Sequence, residues 1–426
     1  MILIRVPIEA ARINLTENIM ASLKVSGLNK IYPSGATALY DINFETQDKE
    51  FIVIIGGESS GKSSLLRVIA GLEEVSEGKI EIGGTDMTEV HPKDRNVAMI
   101  FRHDTLYPAL NVFENIAFGL RQRKAPNALI EQRVKAVSKI LGLDEVLYRK
   151  PKTLTAAAKQ RVALGRAMAR EPKLYLFDDP LEGFDEKLRA DMLNLIINVQ
   201  ARMEGTFVYA TKNLSEAMTI GTRIIVLKNG LIQQIDTPAN LYDYPANAYV
   251  AFYIGAPTVN FIKGVKIVKE DGKYIAAFDK GSLTLPENIV ERFTDIVNYV
   301  NTDKKVWLGI RPEDCTAVKD NGELSGTVSK VESDGDRTYA EIDTNCGISM
   351  IVGGQSDLTQ GKNCGISIDL TKLLIFDEAT RLTLLARDGG YKKTGHKEAD
   401  FVPKPIAEEN EIVEKLKPQK ETKKKK

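Results

Sequence analysis

Residues 51–70 read Phe51-Ile-Val-Ile-Ile-Gly56-Gly-Glu-Ser-Ser-Gly61-Lys62-Ser63-Ser64-Leu-Leu-Arg-Val-Ile-Ala70. Phe51–Ile55 is a short unbroken apolar run and predicts a buried strand, and Ser63–Ala70 predicts a helix. Between them, Gly56 is followed after four residues by Gly61-Lys62-Ser63, the spacing of a phosphate-binding loop. Strand, loop, helix is the context that confirms this motif. Glycines let backbone N–H groups curl around phosphate oxygens, and the helix N-terminus adds positive potential. The candidate nucleotide-binding residues are therefore Gly56, Gly57, Glu58, Ser59, Ser60, Gly61, Lys62, Ser63 and Ser64. Lys62 is placed to reach the outer phosphates, and the Ser63 hydroxyl to ligate Mg²⁺.

Outward from this loop, residues 51–230 alternate short apolar runs with longer amphipathic ones, the pattern of an α/β sheet. Strands are predicted at Phe51–Ile55, Val97–Phe101, Leu174–Phe177, Thr206–Thr211 and Ile224–Leu227. Ile130, Val134, Val137 and Leu141 fall on one helical face, and Gly142 ends that run. Lys187–Met203 carries a similar stripe. Asn229-Gly230 between two apolar runs predicts a hairpin turn. After about residue 256 the helical period fades. Short alternating segments follow, with turns at Asp271-Gly272, Asn321-Gly322 and Asp334-Gly335, so a second, mainly β domain is expected to about Ala386. From Arg387 the chain is polar, and residues 391–426 hold 11 Lys and 7 acidic residues. Such a tail has too little apolar surface to order itself. It reads as solvated, with contact to membrane or RNA as the alternative.

Composition narrows the class. The 426 residues leave room for two or three domains. Lys plus Arg number 58, as do Asp plus Glu, so bulk charge selects no polyanionic partner. Cys315, Cys346 and Cys364 have no metal-ligand spacing and suit reduced thiols of a cytosolic chain. No apolar run approaches the ~18 residues of a membrane span. Met1–Ala10 is too short and too charged for a signal peptide. Any membrane role must go through a partner.

Further segments fall in a fixed order: Lys30-Ile-Tyr32-Pro, Val97-Ala-Met-Ile-Phe101-Arg102, Leu106-Tyr-Pro108, Glu114-Asn-Ile-Ala-Phe-Gly119, Gln160-Arg-Val-Ala-Leu-Gly-Arg-Ala167, Leu174-Tyr-Leu-Phe-Asp178-Asp179-Pro180 and Asp185. With them, the chain from about Met20 to Ala386 resembles the ATP-binding subunits of ABC transporters, specifically those that energise carbohydrate importers of the maltose and multiple-sugar type. Gln233–Tyr242, Phe252-Tyr-Ile-Gly255 and Gly309-Ile-Arg-Pro-Glu-Asp314 look like that family's C-terminal domain. The resemblance implies an α/β fold, a P-loop NTPase core with a helical subdomain over 20–256, and an OB-like regulatory domain over 257–386. Residues 1–19 then read as an over-long start or a genuine extension, and 387–426 as a Lys-rich tail. It also implies ATP and Mg²⁺ as ligands, with Tyr32 stacking on adenine, Asp178 holding Mg²⁺ with Ser63, and Asp185 at a dimer interface. The implied partners are a second such subunit, membrane permease subunits docked on Leu106–Gly119 at the cytoplasmic face of the membrane, and, indirectly, an extracellular sugar-binding protein. Nucleic acid is not among them.

Four positions depart from the family pattern. The Leu-Ser-Gly-Gly-Gln signature, which closes on the phosphates of the facing subunit, reads Leu154-Thr155-Ala156-Ala157-Ala158. Each Ala adds a Cβ where backbone must approach phosphate. On its own physics the segment is a capped helix start. The glutamine that senses Mg²⁺ and the attacking water is Arg102, the general-base glutamate is Asp179, and the switch histidine is Lys212. Asp179 is one methylene shorter, about 1.5 Å of reach, comparable to misplacements that cost ~10²-fold. A protonated lysine cannot accept a proton as histidine can. Arg102 and Lys212 favour holding a polyanion, oppose Mg²⁺, and are expected to keep Asp179 ionised and engage it in an ion pair. Within the loop, Gly57-Glu58-Ser59-Ser60 stands for the family's Pro-Ser-Gly-Cys, with Glu58 adding an acid beside the phosphates. Two readings follow: a carbohydrate-importer ATPase subunit with impaired hydrolysis, or a non-hydrolysing regulatory subunit that pairs with an intact homologue.

Overall fold

The computed structural model describes residues 22–386 except 103–105, 204, 320–321, 335–336 and 354–357. Its first lobe contains strands β1 (Leu23–Ile31), β2 (Thr37–Glu45), β3 (Phe51–Ile55), β4 (Glu77–Ile82), β5 (Thr85–Asp86), β6 (Val97–Ile100), β7 (Leu174–Asp178), β8 (Thr206–Thr211), β9 (Arg223–Lys228) and β10 (Leu231–Asp236). Among them run helices α1 (Lys62–Ala70), α2 (Val112–Gln122), α3 (Asn127–Leu141), α4 (Ala156–Ala169), α5 (Glu186–Gln200), α6 (Leu214–Ile220), α7 (Pro238–Asp243) and α8 (Ala248–Tyr253).

A six-stranded sheet has the order β10-β9-β3-β8-β7-β6, parallel except for β10. Strands β3, β7 and β8 are buried at every residue, as central parallel strands covered on both faces must be. One face packs with α1 against the antiparallel sheet β2-β1-β4-β5, through Leu65, Leu66, Val68 and Ile69. The other face packs against α2 to α6. The four apolar residues of α3 singled out by their spacing are all buried, and Gly142 caps the helix in the left-handed region. Several boundaries differ from the sequence reading: α1, β7 and β9 each run one residue further at one or both ends. Strand β6 stops at Ile100, the last residue in register with β7. Helix α5 starts at Glu186 because the Asp185 side chain accepts from Leu188 N at 2.9 Å, and it ends at Gln200, short of Met203.

The second lobe is β-rich. It holds β11 (Asn260–Glu270), β12 (Lys273–Phe278), β13 (Gly281–Thr284), α9 (Glu287–Arg292), β14 (Val306–Ile310), β15 (Cys315–Val318), β16 (Leu324–Asp334), β17 (Arg337–Thr344), β18 (Ser349–Gly353), β19 (Asn363–Ile368) and β20 (Leu374–Asp377). Strands β15-β18-β17-β16-β19 close a five-stranded barrel, and β13-β12-β11-β14-β20 form a separate antiparallel sheet that the turn pattern alone does not reveal. Asp271-Gly272 makes its turn with both φ angles positive, +49° and +79°, as a two-residue hairpin demands. Asn321, Gly335 and the segments 1–19 and 387–426 lie outside the described residues. Helices α7 and α8 tie the lobes together. The buried Arg311 donates to Ile254 O (2.8 Å) and Tyr242 O (2.5 Å), and Ala248 N donates to Arg381 O.

Candidate nucleotide-binding site

Strands β3, β6, β7 and β8 are parallel, so their carboxyl ends share one edge of the sheet. The loop Gly56–Gly61 leaves β3, Phe101-Arg102 leaves β6, Asp178 ends β7 with Asp179 next, and Lys212 follows β8. In open α/β sheets, ligands bind in the crevice outside these ends. Topology alone thus gathers residues spread over more than 150 positions of sequence.

The phosphate loop is shaped by its backbone. A Cβ on Gly56 would meet Leu227 O at 2.2 Å, and Gly61 sits at φ +102° with Ala38 O 2.6 Å from its would-be Cβ. Gly57 is under no such restraint. Ser59 holds φ +56°, a left-handed conformation at the position where the family pattern has glycine. The hairpin turn Asn229-Gly230 buttresses the loop, with Gly230 N donating to Ser60 O at 3.0 Å. Two tyrosines of α8 also lie beside it: the rings of Tyr249 and Tyr253 stack at 5.7 Å, and the backbone of Gly57 and Gly56 acts on their hydroxyls.

Lys62 Nζ donates to Gly56 O (2.8 Å), Gly57 O (2.7 Å) and Ser60 Oγ (3.1 Å). Burial pushes its pKa down, against the pull of Asp179 and Asp178. Ser63 Oγ donates to Asp178 Oδ1 at 2.7 Å. This hydroxyl–carboxylate pair is the hard oxygen set that Mg²⁺ takes, so these two donors fit the metal. No side chain caps the N-terminus of α1, which leaves its first N–H groups for solvent or an anion. Tyr32 donates its hydroxyl to Glu73 Oε2 (2.7 Å) and shares a hydrogen bond with Ser64 Oγ (2.9 Å). Its tip braces α1 while its ring stays half-exposed.

The altered residues form their own arrangement. Arg102 pairs with Glu182, and Lys212 pairs with the same carboxylate at 2.9 Å and with Glu58 at 3.8 Å. The expected ion pair with Asp179 is thus corrected: Glu182, offered by the turn just after Asp179, is nearer and takes both cations. Asp179 is part-buried, and burial raises its pKa although Arg102, Lys212 and Lys62 pull it down. Its backbone is fixed by Asp179 N donating to Ala210 O, at φ +46°.

Thr155–Ala158 forms the start of α4. Thr155 is the N-cap and accepts from Ala158 N at 3.2 Å, leaving Ala156, Ala157 and Ala158 as an ordinary first turn. Among the described residues no hydrogen bond or ion pair joins this turn to the phosphate loop. Asp185 serves as the N-cap of α5.

Sequence reasoning missed four contributors. Glu182 carries no signal beyond lying four residues after Asp178. Gln160 Nε2 donates to Pro180 O (2.6 Å) and Phe101 O (3.3 Å), which ties α4 to the ends of two strands. Tyr249 and Tyr253 reach the loop only through the packing of α8. One expectation about the outer face also changes. Leu106 is a core residue at 8% exposure, so it cannot present itself to a partner. Tyr107 is exposed, its ring centroid 4.2 Å from that of Phe118.

The ABC transporter family matches residues 39–182. The chain is 39% identical over 373 residues to an oligosaccharides import ATP-binding protein, MsmX, of Bacillus subtilis, covering 86% of this chain and 100% of the relative. It is 38% identical over 368 residues to an uncharacterized ABC transporter ATP-binding protein, YcjV, of Escherichia coli K12, covering 86% and 100%. It is 36% identical over 366 residues to an osmoprotective compounds uptake ATP-binding protein, GgtA, of Synechocystis, covering 84% and 98%. A solved structure of cbiO1 from Clostridium perfringens matches 51% of this chain and 89% of its own at 26% identity, with a TM-score of 0.49.

Proposed function

The chain belongs to the ABC transporter family, among its ATP-binding proteins, and from that premise we propose that it is the nucleotide-binding subunit of a carbohydrate importer whose hydrolytic step is impaired. One observation carries the nucleotide assignment: a sterically enforced phosphate loop sets Ser63 and Asp178 2.7 Å apart at the carboxyl edge of a parallel sheet. In this reading the amides of Gly57–Ser64 cradle the phosphates, Lys62 swings from the loop carbonyls to the outer phosphates, and Tyr32 faces the base. Ser63 and Asp178 would hold Mg²⁺, which would supply neutralisation of developing phosphate charge.

The hydrolytic half supports impairment. A general base must reach the attacking water. Asp179 is one methylene short for that task. Lys212 is spent on Glu182 and Glu58. The carbohydrate setting rests on the relative that imports oligosaccharides. No helix among the described residues is long and apolar enough to cross a membrane, so the chain would work through permease subunits at the cytoplasmic face. Tyr107 and Phe118 are the aromatic pair offered to them. A second subunit would supply the facing signature, and the external sugar-binding protein would be reached only through the permease. The shared pairing of Arg102 and Lys212 with Glu182 favours a second reading, a non-hydrolysing regulatory subunit, because it fills the hydrolytic edge with ion pairs.

Calorimetry with ATP and ADP tests the nucleotide assignment. Binding by the full chain, lost at least 100-fold in Lys62→Ala, is expected. Binding indifferent to that substitution contradicts it.

A further inference from the structure

Glu182 stands outside every role assigned so far, yet it is the hub of the charged edge. It leaves the turn after β7, where Glu182 N donates to Asp179 O at 3.3 Å and Gln160 holds Pro180 O. Its side chain is 19% exposed, whereas Arg102 and Lys212 are 47% and 45% exposed. The carboxylate thus sits beneath two cations that come from different loops, after β6 and after β8. Both cations and Lys62 act electrostatically on Asp179, which places all three around one small volume. Lys62 is held by the loop itself, its ammonium donating to Gly56 O, Gly57 O and Ser60 Oγ.

We propose that Glu182 is an internal counter-ion that competes with the terminal phosphate of a bound nucleoside triphosphate for Arg102 and Lys212. This rests on the nucleotide-binding reading above and adds to it a mechanism of discrimination between triphosphate and diphosphate. The physics is an exchange of anions. A terminal phosphate carries more negative charge than a carboxylate and offers three oxygens. The planar Arg102 fork binds phosphate as well as it binds carboxylate. When a triphosphate enters, Arg102 and Lys212 turn to it, and Glu182 is released toward solvent. A diphosphate stops short of the pair and leaves the Glu182 bridges intact. Two protein cations at this end also take over part of the charge neutralisation otherwise left to the divalent ion, so triphosphate binding depends weakly on metal. The half-exposed cations make the exchange sensitive to salt.

The test is a titration of the full-length chain with ATP and with ADP, each in Mg²⁺ and in EDTA, comparing wild type with Glu182→Gln. Removing the competitor is expected to tighten ATP about tenfold in EDTA, the scale of one charge-assisted contact, while ADP changes less than about threefold. The paired variant Arg102→Gln/Lys212→His is expected to reduce the preference for ATP over ADP by a similar factor. Thermal melts of each variant confirm that it is folded. If Glu182→Gln leaves the ATP-to-ADP ratio unchanged, or weakens ATP, the counter-ion proposal falls while the nucleotide site stands. If neither nucleotide binds the wild-type chain, the underlying reading falls with it.

Discussion

The phosphate loop and the three loops beside it meet at one sheet edge but are built on different principles. The first is dictated by backbone: Leu227 O and Ala38 O leave no space for side chains at Gly56 and Gly61. The other three are dictated by side-chain charge, with Arg102, Lys212 and Glu182 satisfying one another across loops. A backbone-determined site tolerates little change without misfolding, whereas a charge-determined one can be rewritten by a few compensating substitutions. On this account, binding and hydrolysis have separated in one crevice.

The largest expected effect comes from rewriting the charge-determined half. Arg102→Gln, Asp179→Glu and Lys212→His together restore reach and a proton acceptor. Combined with Ala156→Gly, Ala157→Gly and Ala158→Gln in the same chain, so that a facing copy supplies a glycine signature, they are expected to raise turnover about 10²-fold. Steady-state phosphate release checks this. The three loop changes alone are expected to give far less, and equal gains with or without the signature would collapse the distinction between the loops.

A smaller effect concerns what braces the backbone-determined half. Arg311 is buried, and burial lowers its pKa to about 10. It holds the end of α8, whose Tyr249 and Tyr253 contact the phosphate loop. Arg311→Ala leaves the carbonyls of Ile254 and Tyr242 unpaired, an expected loss of about 2–3 kcal/mol in denaturant unfolding. Nucleotide affinity is expected to fall with it. Unchanged affinity in the folded variant would show that the loop needs no support from α8.

The smallest effect is electrostatic. Glu216 is buried behind the Lys212 loop, where it accepts from Tyr209 and Thr211 hydroxyls and pairs with Arg189. Burial raises its pKa above the ordinary 4.5. A raised carboxylate binds more protons folded than unfolded, so its contribution is complete below pH 4.5 and declines as pH rises through the folded value. Glu216→Gln should flatten the melting temperature against pH over that window, and a steeper slope would reverse the sign assigned to it.

How much of this could be read in advance follows from the same contrast. The strand–loop–helix was legible because steric demands at Gly56 and Gly61 write themselves into residue identity. The five parallel strands were legible because burial on both faces leaves unbroken apolar runs such as Phe51–Ile55 and Phe207–Ala210. The capping role of Thr155 followed from local chemistry. Glu182 was illegible because its partners lie 80 and 30 residues away on other strand ends, and no periodicity links them. Leu106 was misplaced because a motif marks position along the chain, not the side of the fold a residue faces. The sheet formed with β20 closes only through pairing of β14 with a strand more than 60 residues on, which short alternating runs do not specify.

The central claim is that this crevice binds ATP and turns it over slowly. The most direct measurement is steady-state ATPase activity of the full-length chain with saturating Mg²⁺ and ATP, alone and with the proposed permease subunits, on protein shown by calorimetry to bind nucleotide. Turnover below about 0.1 s⁻¹ in both states is predicted, and ordinary enzyme turnover of ~1–10 s⁻¹ would contradict the claim.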